Sequence, residues 1–132
     1  MPNIQGHERR RRRSVWASQA LRFQLEEVAQ RHGLDRLVLA DEGGNLWAAS
    51  SVDESATALA AALPALYGRP DGQGVCGLER RAGRFALLKL KVGRATLFLG
   101  AQYSRARRAL ALKEAARGVQ RILDGLATAT AN

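Results

Sequence analysis

"RLVLADEGGNLWAAS", residues 36–50, decides the fold. Leu37, Val38, Leu39 and Ala40 form a short continuous apolar run, the pattern of a strand covered on both faces. "DEGGN" predicts a tight turn, because Gly43 and Gly44 can adopt the positive φ that such a hairpin demands. "LWAAS" returns as a second strand. Asp41 and Glu42 are adjacent carboxylates beside this turn. Neighbouring residues on a strand point to opposite faces, so they read as solvated turn residues and not as an acid–base pair.

Toward the N-terminus, residues 1–13 show no hydrophobic period and are expected to be a disordered, Arg-rich arm. Ser14 is placed to cap a helix over about 14–32, with Leu21, Leu25 and Val28 on its buried stripe and Trp16 and Phe23 at its ends or flank. Gly33 supplies its stop.

Toward the C-terminus, "SVDESATALAAALPALYGRP" predicts a second helix. Ser51 and Glu54 match a capping box, with Asp53 as a competing cap. Leu59, Leu63, Leu66 and Tyr67 form one stripe, and the remainder is small: Ala56, Ala58, Ala60, Ala61, Ala62 and Ala65. Pro64 removes a backbone donor and predicts a kink or break near Leu63. "GRPDGQG" is a loop. "VCGLERR" reads as an edge strand.

"RFALLKLKV" alternates. Ala86, Leu88, Leu90 and Val92 face one way, and Phe85, Leu87, Lys89 and Lys91 the other. Gly93 and Arg94 turn the chain into "ATLFLGAQY", another strand buried on both sides. A last helix over about 104–126 carries Ala109, Leu112, Ala116, Val119, Leu123 and Leu126 at spacings of three and four, widened by Ile122. Arg107, Glu114, Arg117, Arg121 and Asp124 take its wet side. Residues 128–132 are expected to fray.

The expected fold class is α/β of the α+β type. The order αββαβββα gives a three-layer sandwich: a five-stranded, mostly antiparallel sheet with one helix on one face and two on the other. The domain spans 14–127. A chain of 132 residues fits one such domain. It has one cysteine, Cys76, so no internal disulfide is possible. "MPNIQGHERRRRRS" has no apolar stretch behind its charges, and no long apolar run follows, so a cytoplasmic location is expected.

The net charge is +9. Five arginines less one glutamate put +4 of it on residues 1–13, leaving +5 on the remainder. The domain is basic in its own right, which favours anionic partners.

Few residues supply chemistry. "GRPDGQGVCG" has the glycines of a phosphate loop but not its lysine and Ser/Thr. His32, at a helix C-terminus, reads as a charge–dipole contact. Cys76, on a strand, reads as a small hydrophobe. No Cys/His cluster has metal spacing. No catalytic, metal or cofactor site is assigned.

Two basic sets stand out. Arg9, Arg10, Arg11, Arg12 and Arg13 can act as a solubilising tail, dock on an acidic protein patch, or bind nucleic acid or anionic lipid through counterion release. Arg105, Arg107 and Arg108 start the last helix, where cations oppose the dipole; they read either as plain surface arginines or as contacts for an anionic partner.

The strand–turn–strand "GLDRLVLADEGGNLWAAS", the Ala-rich "ESATALAAALPALY" and "ATLFLGAQYSRARRALALKEAARGVQRIL" together resemble the Roadblock family. That family includes domains of dynein light chains, lysosomal scaffold proteins and bacterial partners of Ras-like GTPases. The likeness covers about 15–126; Pro64 and the five-Arg run depart from it.

The resemblance implies a non-catalytic module that forms a homodimer through its third strand and middle helix. Here those are Val75, Cys76, Gly77 and Leu78 with Ala58, Ala61, Ala62 and Ala65. It further implies regulation or scaffolding of a Ras-like small GTPase. The alternative is a nucleic-acid or anionic-surface binder that uses the Arg arm on a dimeric platform.

Overall fold

The computed structural model describes residues 4–67, 75–80, 83–104 and 108–131, with side chains over 16–67, 84–104 and 110–126. The elements are α1 (Ile4–His32), β1 (Arg36–Asp41), β2 (Leu46–Ala49), α2 (Glu54–Leu66), β3 (Val75–Arg80), β4 (Gly83–Val92), β5 (Ala95–Tyr103) and α3 (Arg108–Ala131). The chain is thus α+β, three helices with an antiparallel sheet. Its strands lie in the order β2-β1-β5-β4-β3. β5 is central, pairing β1 from Arg36↔Gln102 to Asp41↔Leu97 and β4 from Arg84↔Tyr103 to Val92↔Ala95.

Strand alternation sorts the core into two clusters. Leu37, Leu39, Ala86, Leu90, Leu97 and Leu99 pack with Leu21, Leu25 and Val28 of α1 and Leu112, Ala115 and Val119 of α3. The intervening residues Val38, Ala40, Phe85, Leu87 and Phe98 pack with Ala56, Leu59, Ala60 and Leu63 of α2. The two faces read from "RFALLKLKV" are therefore those observed: Leu88 and Val92 border the first cluster, while Phe85 and Leu87 lie in the second.

Three local expectations change. Helical backbone begins at Ile4, ten residues before Ser14, and takes in the Arg run expected as a disordered arm. Arginine is a good helix former, and helical backbone needs no hydrophobic period. Of the kink or break expected near Leu63, a break is not seen there: α2 runs through Pro64 to Leu66. Pro64 lies in the last turn, so its missing N–H costs only the one bond to the Ala60 carbonyl. The helix ends at Tyr67, whose N–H reaches the Leu63 carbonyl at 3.1 Å. α3 continues to Ala131 where fraying was expected, through a stretch rich in alanine, the best helix former.

Small residues set the closest approaches. A Cβ on Gly100 of β5 would stand 2.4 Å from a methyl of Leu63, and one on Gly118 of α3 would stand 2.0 Å from the Gln24 amide of α1. α1 and α3 are tied further where Glu114 meets both Arg31 and His32.

Candidate functional site

α2 starts where Asp53 accepts a hydrogen bond from the Ala56 amide at 2.8 Å. Of the two caps that the sequence offers, Asp53 is the one used. Arg36 at the start of β1 donates to the same carboxylate at 3.1 Å and to Gln102 of β5 at 2.7 Å. The helix start is therefore fastened to two strands. Donation from the Ala56 backbone, and then from Arg36, holds the Asp53 carboxyl below the usual carboxylate range.

The turn before α2 is organised by Asp41. One of its oxygens accepts from the backbone of Gly43 at 2.9 Å and of Asn45 at 3.0 Å. The other accepts from the indole of Trp47 at 3.2 Å. The Asn45 backbone bond is the main cause of a lowered Asp41 pKa. Asp41 is thus the fastener of the hairpin, a role in accord with its reading as a turn residue.

α2 buries Ala56, Leu59, Ala60 and Leu63. The opposite side is left with Ala58, Ala61 and Ala65 exposed and Ala62 half-buried. From Ala58 to Ala65 that side carries only methyl groups, with Glu54 and Thr57 exposed at its N-terminal end, so another backbone can approach its later turns closely. β3 is the last strand of the sheet, paired on one side only, with β4 in the register Val75↔Leu88 to Arg80↔Gly83. Its other margin presents backbone donors and acceptors that no strand among the described residues takes up.

No family model matches the chain, and no curated protein sequence does. Solved structures do match. MglB of Myxococcus xanthus aligns with a TM-score of 0.58 at 16% identity, covering 83% of this chain and 91% of that one. The gliding protein MglB of Thermus thermophilus gives 0.58 at 20%, covering 83% and 92%. A Roadblock/LC7 domain from Streptomyces avermitilis gives 0.58 at 20%, covering 79% and 95%.

This is the Roadblock fold.

On that fold, the structure places the four alanines named from the sequence together on one side of α2, and Val75, Cys76, Gly77 and Leu78 on the edge strand. The side chains of those four β3 residues lie outside the described residues. So do Arg105 and Arg107, and the side chains of Arg9 to Arg13 and Arg108.

His32 has a specific partner in Glu114 where the sequence suggests a helix-dipole contact. Glu114, assigned to the wet side of the last helix, is half-buried between helices. The Arg36–Asp53–Gln102 cluster is not legible in the sequence. Its members are 17 and 66 residues apart, and no periodicity links them. Among the described residues, no three His, Cys, Asp or Glu gather as a metal site.

Proposed function

We propose that the chain is a non-catalytic Roadblock-type module, a five-stranded three-layer domain that pairs with a second copy of itself. As a homodimer it regulates or scaffolds a Ras-like small GTPase in bacterial signalling. The observation that carries the reading is the open margin of β3 in a Roadblock fold. Two copies joined at β3 satisfy each other's backbone groups through one two-fold interface. The run of small residues from Ala58 to Ala65 on the outward side of α2 supports the reading, since small residues let a second helix come close.

The resemblance to bacterial partners of Ras-like GTPases supplies the partner class. The pair acts on a GTPase by binding one arrangement of its switch loops better than the other.

Sedimentation of the purified chain at micromolar concentration tests the pairing; a dimer mass is expected, and a monomer overturns it. Copurification from the native cell, followed by single-turnover GTP hydrolysis with and without the chain, tests the partner. Recovery of a small GTPase whose GTP turnover or nucleotide exchange changes is expected. Recovery of none overturns that part.

A further inference from the structure

The outward side of α1 carries a feature that the pairing reading leaves unused. Trp16 is 56% exposed and Phe23 is 67% exposed. They are seven residues apart, about two helical turns, and so share one side of α1. The core side of the same helix is set by Leu21, Leu25 and Val28. At about 100° per residue, the two aromatics lie nearly opposite that core stripe. Neither belongs to a core cluster.

The helix is continuous from Ile4. Its spacing puts positions 9, 12 and 13 on the same side as 16 and 23. The two glutamates farther along are matched, Glu26 by Arg22 at 2.9 Å and Glu27 by Arg31 at 2.6 Å. The helix's net positive charge is therefore concentrated in the turns before Trp16. A polybasic segment is drawn to an anionic leaflet, and aromatics that follow it on the outward side of the same helix are placed to enter the headgroup–acyl boundary.

We propose that α1 docks this protein on an anionic membrane surface, with Arg9, Arg12 and Arg13 toward lipid headgroups and Trp16 and Phe23 in the headgroup–acyl boundary. Charge complementarity selects this occupant. A second copy of a +9 chain would bring like charge against the Arg run. Single-stranded nucleic acid calls for aromatics interleaved with cations, whereas here they follow the run. Among the described residues, no helix is long and apolar enough to cross a membrane, so the contact is with the surface. The inference does not depend on dimer formation or on a GTPase.

The test uses the full chain with vesicles of phosphatidylcholine alone or mixed with phosphatidylserine. In a Trp47→Phe background, Trp16 is the one remaining tryptophan, and its emission reports burial. Expected are cosedimentation and a blue shift with the anionic vesicles, both lost as salt rises. Trp16→Ala with Phe23→Ala should weaken binding about tenfold with circular dichroism unchanged. Glutamine at positions 9–13 should cost about fivefold per arginine that reaches the surface.

Failure to bind anionic vesicles at low salt would overturn the proposal. So would equal binding to neutral vesicles, an aromatic double variant that binds as the parent does, or tighter binding to short DNA than to vesicles.

Discussion

Gly44 lies against the backbone of Ala61: a Cβ on Gly44 would stand 3.0 Å from both the Ala61 Cα and its carbonyl oxygen. At Gly44 the hairpin turn therefore approaches the middle of α2 main chain to main chain. Gly44 is also held at φ +78°, where a side chain is strained. Gly44→Ala should cost about 1–3 kcal/mol, from the left-handed backbone together with displacement of α2. At Gly43 the corresponding neighbour is the side-chain amide of Asn45 at 3.0 Å, and φ is not positive. Gly43→Ala should cost less. Urea unfolding of the two variants checks the order.

Asp41 gives the hairpin a pH dependence. Its carboxyl is held below its ordinary value by donation from Asn45, Trp47 and Gly43. The folded state therefore binds the proton less well than the unfolded state does. The stabilisation is complete above the unfolded value, about 3.9, and disappears as pH falls through the lower folded value. Asp41→Asn should be less stable than the parent at neutral pH, and the gap should close on acidification. Melting temperatures across that range test this; a gap independent of pH would contradict it. Asp53, lowered mainly by the Ala56 amide and next by Arg36, should behave in the same direction.

The contact between α2 and β5 is set by Leu63 over Gly100. Leu63→Ala should cost about 2–5 kcal/mol by opening a cavity. Gly100→Ala should cost about 1–3 kcal/mol by overpacking, since its new methyl would stand 2.4 Å from Leu63. The double variant should lose less than the two losses added, because the new methyl occupies part of the space that Leu63 leaves. Strict additivity would show that the two positions do not share that volume.

The outward side of α2 is testable without harm to the fold. Ala58 and Ala65 are exposed, so arginine at either position removes nothing from the core. Ala58→Arg and Ala65→Arg should keep the parent's melting behaviour as monomers. They should weaken self-association by about tenfold or more, through bulk and like charge across a two-fold axis. Gln30→Arg, exposed on α1, is the matched control and should leave the mass unchanged. Retention of the parent mass by both α2 variants would place self-association elsewhere.

What can be read from the sequence is what period and turn chemistry encode. The apolar run at Leu37 to Ala40, the glycines after Asp41 and the alternation in "RFALLKLKV" each specify strand, turn and face by local rules. They lead directly to the two clusters observed. The α3 stripe is legible almost in place: Leu112, Val119 and Leu123 are buried, Ala116 and Ile122 pack against the same cluster, and Ala111 and Ala115 are buried beside them, while the Ala109 side chain lies outside the described residues. Alanines are too alike in hydropathy to fix the rotation of a helix.

Pro64 misleads because its cost depends on how much helix follows, which composition does not reveal. Residues 4–13 read as an arm when helix is sought by hydrophobic period, whereas arginines support helical backbone through propensity alone. Of the candidate site, the small-residue side of α2 is visible as a gap in the apolar stripe. Arg36, Asp53, Gln102 and the His32–Glu114 contact are not, since each pair is joined only by tertiary proximity.

The central place of β5 bears on how the chain is made. β1 finds its inner neighbour 66 residues further on, at Arg36↔Gln102. During synthesis, the β1–β2 and β3–β4 hairpins emerge as two separate ribbons, each with an unpaired strand edge awaiting the same late strand. Until residue 103 clears the ribosome, no strand pairing joins them. The nascent polypeptide carries the unpaired β1 edge from residue 41 until β5 is made at 95–103, and a stall or frameshift before β5 would release a product fit for aggregation or proteolysis.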